Sequence, residues 1–330
     1  MGKSARAQNA RLAELRAQQA AAERRNRLMI AAGTVAVVAL IIGGIVFAAL
    51  QGGGAKNVAG KDGTPLDQAA FSKLTTVPAA ALDTVGKGTA QNPVKKIDAP
   101  ALTKDGKPRV LYIGAEYCPF CASQRWPLVV ALSRFGTWNN LNATYSAPAP
   151  EVFPDTPTVS FHGATYTSPY VSFTGIETQT NKMVNGRFTE LDKLEGEDKA
   201  LFEKYNAPPY AEQKGAIPWL TIGGTAVQGG ASYSSEPLMG RTHGDIAAAL
   251  HDPSTPIARG VLGTANMLTA QLCVATGGKP GEVCSSAGVK AAAEAFQIEL
   301  PPPAPSTPTP SAPGTPPATT PVATTTGAKP

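Results

Sequence analysis

The longest unbroken apolar run, Leu28 to Leu50, holds 23 residues without a charge. At a helical rise of about 1.5 Å per residue it is long enough to cross about 30 Å of hydrocarbon. A helix is required there because lipid offers backbone N–H and C=O groups no partner. Two other patterns follow along the chain. Val110, Leu111, Tyr112 and Ile113, within "RVLYIGA", suit a buried strand, and the next stretch, "CASQRWPLVVALSRF", places Trp126, Val129, Val130 and Leu132 at helical spacing. The two together predict a strand, a turn and a helix, with Pro127 expected to kink the helix.

Charge fixes the orientation of the apolar run. Residues 1–27 carry seven basic groups and two acidic ones, so the whole formal charge of +5 lies ahead of Leu28. Lys and Arg on that side predict a cytoplasmic N-terminus, with everything after Leu50 outside. The run exceeds the apolar core of a cleaved signal peptide, and 27 residues precede it, which favours an uncleaved anchor although "VFAAL" offers small residues for cleavage. The other 22 basic and 22 acidic groups cancel. A neutral body has no extended positive field for a phosphate backbone, so no nucleic-acid partner is expected.

Composition divides the chain further. Residues 1–27 form a basic cytoplasmic segment, 28–50 the transmembrane helix, 51–65 a Gly-rich linker, and 66–300 a single extracytoplasmic body without internal repeats. Residues 301–330 hold 11 Pro and 8 Thr without one aromatic residue, the composition of a disordered tail.

All four cysteines fall in the external body. An oxidising environment and an even count suggest two disulfides. Cys273 and Cys284 flank "VATGGKPGEV", whose Gly-Gly-Lys-Pro-Gly run signals a chain reversal, so they are expected to form a structural bridge. Cys118 and Cys121 lie at the turn from strand to helix. Pro119 suits the first helical position, which makes Cys118 the residue that caps the helix. Unpaired N–H groups and the positive dipole end there favour a thiolate. Cys118 is therefore the candidate nucleophile, and Cys121, one turn on, the residue that resolves a mixed disulfide. Other readings lack partners. A c-type haem would need His after the second Cys, where Ala122 stands, and His162, His243 and His251 are too scattered to complete a zinc site. No metal or other cofactor is expected. A purely structural Cys118–Cys121 bridge stays open.

"GAEYCPFC" resembles the active site of the thioredoxin fold, and its Pro-Phe dipeptide is closer to those of glutaredoxins and periplasmic disulfide oxidases than to thioredoxin's own. That fold carries a cis-proline facing the active disulfide. "KGAIPWLTIGG" is similar to that element, so the resemblance makes Pro218 the cis-proline and Ile217 the residue whose backbone would pair with substrate. The same likeness supplies strands "WLTIGG" and "TAVQGG" and a closing helix "THGDIAAALH". More closely, "YIGAEYCPFCASQRWPLVVALSRFGTW", "SFTGIET", "AIPWLTIGG" and "ANMLTAQLCVATGGKPGEVC" resemble the membrane-anchored family catalogued as domain of unknown function 929. The expected architecture is α/β: a thioredoxin-like fold with an insertion between the CxxC helix and the cis-Pro strand, preceded by one transmembrane helix.

Two departures from thioredoxin stand out. Residues 145–205 must hold the insertion, read as strands in "TVSFHGATYT" and "YVSFTGI" and a helix in "LDKLEGEDKALFEKY". Tyr112 stands where thioredoxin has a buried Asp, while Glu116 lies two residues before Cys118, where a carboxylate could raise the Cys118 pKa. Phe120, inside the dipeptide, is the aromatic expected at the surface as a substrate contact, and Trp219 the one expected in the core.

Two functions follow. One is an anchored thiol–disulfide oxidoreductase at the cell membrane, acting on thiols or disulfides of exported proteins and re-poised by a membrane redox partner that analogy implies. It calls for an exposed Cys118 and a cis Pro218. The other is a non-catalytic surface binding or assembly protein with a buried structural disulfide in a thioredoxin-like body.

Overall fold

The computed structural model describes residues 63–302, Glu212 excepted. The expected basic segment 1–27 and transmembrane helix 28–50 lie outside the described residues, as do most of the linker and nearly all of the tail. Among the described residues no helix is long and apolar enough to cross a membrane.

The body is mixed α/β, with several sheets and eight α-helices among the described residues. A short strand β1 (Thr64–Pro65) leads into helices α1 (Gln68–Thr75) and α2 (Ala79–Val85), then strands β2 (Lys95–Lys96), β3 (Thr103–Lys104) and β4 (Lys107–Gly114). Helix α3 (Pro119–Ser133) is followed by β5 (Thr137–Asn139), β6 (Asn142–Tyr145), β7 (Pro157–Ser160), β8 (Thr165–Thr167) and β9 (Ser172–Glu177). A hairpin of β10 (Gln179–Val184) and β11 (Arg187–Glu190) precedes α4 (Gly196–Tyr205). The chain closes with β12 (Trp219–Ile222), β13 (Ala226–Gly229), α5 (His243–Ala249), α6 (Pro256–Ala275), α7 (Gly281–Cys284) and α8 (Ala287–Phe296).

Strand β4 is the centre of the main sheet. It pairs parallel with β9, Arg109–Gly114 against Ser172–Glu177, and antiparallel with β12 on its other side. Beyond β12 come β13 and then the short edge strand β2. Side chains on a strand alternate between faces, and β4 is apolar on both. Val110 and Tyr112 enter a large core with Trp126, Leu220 and Leu262, while Leu111 and Ile113 join Trp219, Tyr205 and Val227 on the opposite face.

Helix α3 is buried almost all round, from Cys121 through Leu132, and other elements hold it in place. The Trp126 indole N–H donates to Pro157 O at 3.0 Å, and the Thr158 hydroxyl donates to Ala122 O at 2.8 Å, so β7 is tied to the helix's flank. Pro127 does not end the helix, which continues to Ser133. Proline lacks the N–H that would bond the carbonyl four residues back, and that freed group, Ser123 O, accepts the Tyr233 hydroxyl at 2.9 Å instead. A tertiary hydrogen bond thus satisfies the carbonyl that the proline leaves free.

Within 145–205 the elements divide differently from the sequence reading. "TVSFHGATYT" becomes two strands in separate sheets, β7 beside β6 and β8 beside β5, parted by a turn at Gly163 with φ +72°. The helix expected over "LDKLEGEDKALFEKY" starts only at Gly196. Leu191 and Asp192 are held extended because their N–H groups donate to Thr178 O and Glu177 O. Helix α6, which the sequence reading did not assign, is the longest among the described residues, and nearly every side chain from Ile257 to Cys273 is buried. Thr255 caps it by accepting the Ala258 N–H, with Pro256 in its first turn.

Candidate functional site

The turn from β4 to α3 delivers Cys118 and Cys121. Cys118 is the N-cap of α3, with φ −76° and ψ 120°, and Pro119 occupies the first turn. The Cys118 Sγ accepts the backbone N–H of Cys121 at 3.2 Å, which satisfies one of the otherwise unpaired donors at the helix start. On its other side the Cys118 thiol lies 3.7 Å from Ile217 O, to which it donates. The Ile217–Pro218 peptide is cis and leads directly into β12, which pairs with β4. The sulfur is therefore held between a helix start and the backbone of the residue before a cis-proline, 99 positions away in the chain.

Cys118 and Cys121 are free thiols in this structure, and both are buried. Cys118 is only 5 % exposed, which corrects the expectation of an open sulfur. Two segments inside 145–205 pack on the residues beside it. Tyr117 stacks on Phe188 of β11 with ring centroids 4.2 Å apart, and Ala147 N–H donates to Tyr117 O at 2.8 Å. Phe153 meets Phe120 edge-on at 6.0 Å, and Glu116 N–H donates to Gln179 O at 2.8 Å. Phe120 keeps 42 % of its surface in solvent, whereas Trp219 is core. Glu116 is half-buried.

The two thiols differ in electrostatics. Burial pushes the Cys118 thiol up, but hydrogen bonds from the Cys121 side chain and N–H, with the Arg125 guanidinium close by, bring it below the ordinary thiol range. Cys121 goes the other way. Burial, its hydrogen bond to Cys118 and the charge that Cys118 would carry hold its thiol well above that range. One sulfur is prepared to ionise while its neighbour keeps the proton.

Beneath them sits an ion pair that the sequence reading did not identify. Arg125, four residues after Cys121 on α3, donates from Nε and Nη2 to both carboxylate oxygens of Glu177, at 2.8 and 2.6 Å. Both side chains are fully buried. Nη2 also donates at 2.7 Å to Ala115 O, the same carbonyl that accepts the Cys118 N–H. At positions 118, 121 and 125, the two sulfurs and the guanidinium share one face of the helix. Tyr112, on the strand position where the resemblance had suggested a carboxylate, lies under Arg125, whose guanidinium carbon is 5.9 Å from the ring centroid. Tyr112 Oη and Arg125 Nη1 are buried with no hydrogen-bond partner among the described residues. The available signal was a single arginine directly ahead of the apolar stretch "WPLVVAL" and a single glutamate ending "SFTGIE". Charges in buried segments must be paired.

Far from this site, Cys273 and Cys284 form a disulfide between the end of α6 and α7. The chain reverses between them through Gly277 and Gly278, both at positive φ. Among the described residues no group of three or more His, Cys, Asp or Glu is placed to hold a metal ion.

The family model described as Domain of unknown function (DUF929) matches residues 93–274, more than half of the chain. The chain belongs to the DUF929 family. The DUF929 match takes in Cys118, Cys121, Arg125, Glu177 and Pro218, and it ends between Cys273 and Cys284. No curated protein and no solved structure matches the chain.

Proposed function

We propose that this protein is a membrane-anchored, extracytoplasmic thiol–disulfide oxidoreductase on a thioredoxin-like body. One observation carries the reading: Cys118 Sγ accepts the Cys121 N–H at the start of α3 while lying 3.7 Å from the carbonyl before a cis-proline. The topology supports the fold. A parallel β4–α3–β9 unit, joined by antiparallel β12 and β13, gives the strand order β9–β4–β12–β13. The anchor and the outward orientation rest on the apolar run and the basic residues ahead of it.

The chemistry needs no cofactor. The Cys118 thiolate attacks one sulfur of a substrate disulfide, an S–S bond forms to that sulfur, and the other substrate sulfur leaves as thiolate. Cys121 then gives up its proton and attacks Cys118 Sγ. The Cys118–Cys121 disulfide forms, the second substrate thiolate leaves, and the substrate has gained two electrons. Run backwards, the same steps oxidise a substrate dithiol. The Arg125 charge favours the ionised Cys118 in both directions, and a membrane redox partner would restore the starting state. Phe120 offers an apolar contact for an unfolded exported chain.

The burial of Cys118 favours a second reading, a non-catalytic surface binding or assembly protein in which Cys118 and Cys121 serve only as a structural bridge. Trapping separates the two. Cys121→Ala expressed in cells should accumulate Cys118-linked mixed disulfides with exported proteins, visible as reducible high-mass species. Their absence, together with unchanged performance of Cys118→Ser, would favour the binding protein.

A further inference from the structure

Beneath the cysteines, two buried donors stand unused. Arg125 commits Nε to Glu177 and Nη2 to Glu177 and Ala115 O, while Nη1 has no partner among the described residues. Tyr112 Oη has none either. Both side chains are fully buried. Buried donors are ordinarily paired, and an unpaired one costs stability that a purely structural ion pair has no reason to lose.

Their placement points at the redox turn. Strand β4 runs up to that turn, and Tyr112 leans forward along it. Its hydroxyl lies against Gly114, where a Cβ would collide with it. Arg125 reaches the next residue, Ala115, through Nη2. The guanidinium carbon is 5.9 Å from the Tyr112 ring centroid, and Cys121 stands one helical turn from Arg125 on the same face of α3. Cys118, Tyr117, Arg125, Tyr112 and Glu177 are the ionisable groups in electrostatic reach of Cys121. Of these, only Arg125 and Tyr112 hold a buried donor without a partner among the described residues.

Resolving a mixed disulfide calls for such donors. In the free dithiol, burial, the hydrogen bond to Cys118 and the Cys118 charge keep the Cys121 proton in place. Once Cys118 Sγ is bonded to a substrate sulfur its charge is gone, and burial and the Glu177 charge remain to be offset. We infer that Arg125 Nη1 and the Tyr112 hydroxyl form a donor pair that stabilises the Cys121 thiolate in the resolving step. The Cys121 proton passes, by way of water, to the substrate thiolate released by the first attack. The Cys121 thiolate then attacks Cys118 Sγ. The Cys118–Cys121 bond forms, the bond from Cys118 to substrate breaks, and its electron pair leaves on the second substrate sulfur. Burial holds the Tyr112 phenol well above its ordinary range, so it stays a donor throughout. This rests on the reading that Cys118 and Cys121 exchange disulfides.

The test uses the reduced full chain in detergent with dipyridyl disulfide, whose pyridinethione products are read by absorbance. Attack by Cys118 releases the first thione. Attack by Cys121 on the Cys118 adduct releases the second, at a rate independent of reagent concentration. In the wild type that second rate should rise with pH as Cys121 ionises. Tyr112→Phe removes only the hydroxyl and should leave the first release near the wild-type rate. Loss of a donor to the charged form should move the midpoint of the second release up by about one pH unit, and slow it about tenfold below that midpoint. Tyr233→Phe, which removes another buried hydroxyl bonded to α3, at Ser123 O, should leave both releases unchanged. A Tyr112→Phe midpoint equal to the wild type overturns the donor pair and leaves the exchange reading standing. An equal shift in Tyr233→Phe also overturns it, since loosened packing of α3 would then account for both. Release of the first thione alone, or of neither, overturns the exchange reading and the donor pair with it.

Discussion

Arg125 and Glu177 meet through two hydrogen bonds of 2.8 and 2.6 Å, with neither side chain reaching solvent. One residue comes from the helix that Cys118 caps and that carries Cys121, and the other from the strand parallel to β4, so the pair joins that helix to the sheet. Desolvating two charges offsets much of their attraction, but leaving either one alone in the core is costly. Arg125→Met should therefore lower stability by about 3–5 kcal/mol. Arg125→Met combined with Glu177→Leu should recover much of that loss. In the double variant the Cys118 thiol pKa should rise, because the guanidinium beside it is gone. Denaturant unfolding and the pH dependence of Cys118 alkylation read the two effects separately. A double variant with an unchanged alkylation profile would limit the ion pair to a structural role.

Cys118 and Cys121 should titrate apart. In the reduced protein, iodoacetamide should modify Cys118 first, with a rate midpoint lower than that of Cys118 in the Arg125→Met, Glu177→Leu double variant. Cys121 should resist until the protein unfolds, because burial and Cys118 both hold its proton. The 5 % exposure of Cys118 should slow bulky maleimides far more than it slows iodoacetamide. Mass mapping of the labelled peptides gives the order directly.

His243 should make the fold acid-sensitive. Its Nε2–H donates to Thr144 O and Thr158 O, at 3.0 and 2.8 Å, and ties α5 to β6 and β7. Burial lowers its pKa below the ordinary 6.5, although the two carbonyl contacts pull the other way. In this window the unfolded chain binds the proton more readily than the folded one, so stability is full above about pH 6.5 and falls as pH drops below it. Urea midpoints measured from pH 7.5 to 5 should decline for the wild type and flatten for His243→Gln.

The Cys273–Cys284 bridge closes a loop of 11 positions, for which chain entropy gives a stabilisation of about 3 kcal/mol. Cys273→Ala with Cys284→Ala should lower the denaturation midpoint accordingly. The alkylation rate of Cys118 should not change, since the end of α6 lies beside Gly223, at the opposite end of β12 from Pro218. A coupled loss of both would mean that α6 transmits strain to α3.

The legible parts of the sequence were those where local chemistry decides. Pro119 after Cys118 marks a helix start in any context, and the glycines between Cys273 and Cys284 mark a reversal. What sequence alone did not reveal depends on distant partners. The carbonyl of Ser123, which Pro127 leaves without its helical donor, is taken by Tyr233, more than a hundred positions on. The charge of Glu177 has meaning only once β9 lies beside β4 and faces Arg125. Helix α6 is buried nearly all round, its polar Thr264, Asn266, Thr269 and Gln271 included, so its polar positions do not mark a solvent face. The aromatic contacts beside Cys118, between 117 and 188 and between 120 and 153, join distant segments, and no local pattern encodes either.

The reduction potential of the Cys118–Cys121 couple in the full chain, equilibrated in glutathione buffers, tests the central claim most directly. A sulfur stabilised as thiolate makes the dithiol form easier to keep, so the potential should lie above about −300 mV, in the range of exchange-active dithiols. A value well below about −300 mV, with a bridge that glutathione does not open, would make this pair structural and contradict the oxidoreductase.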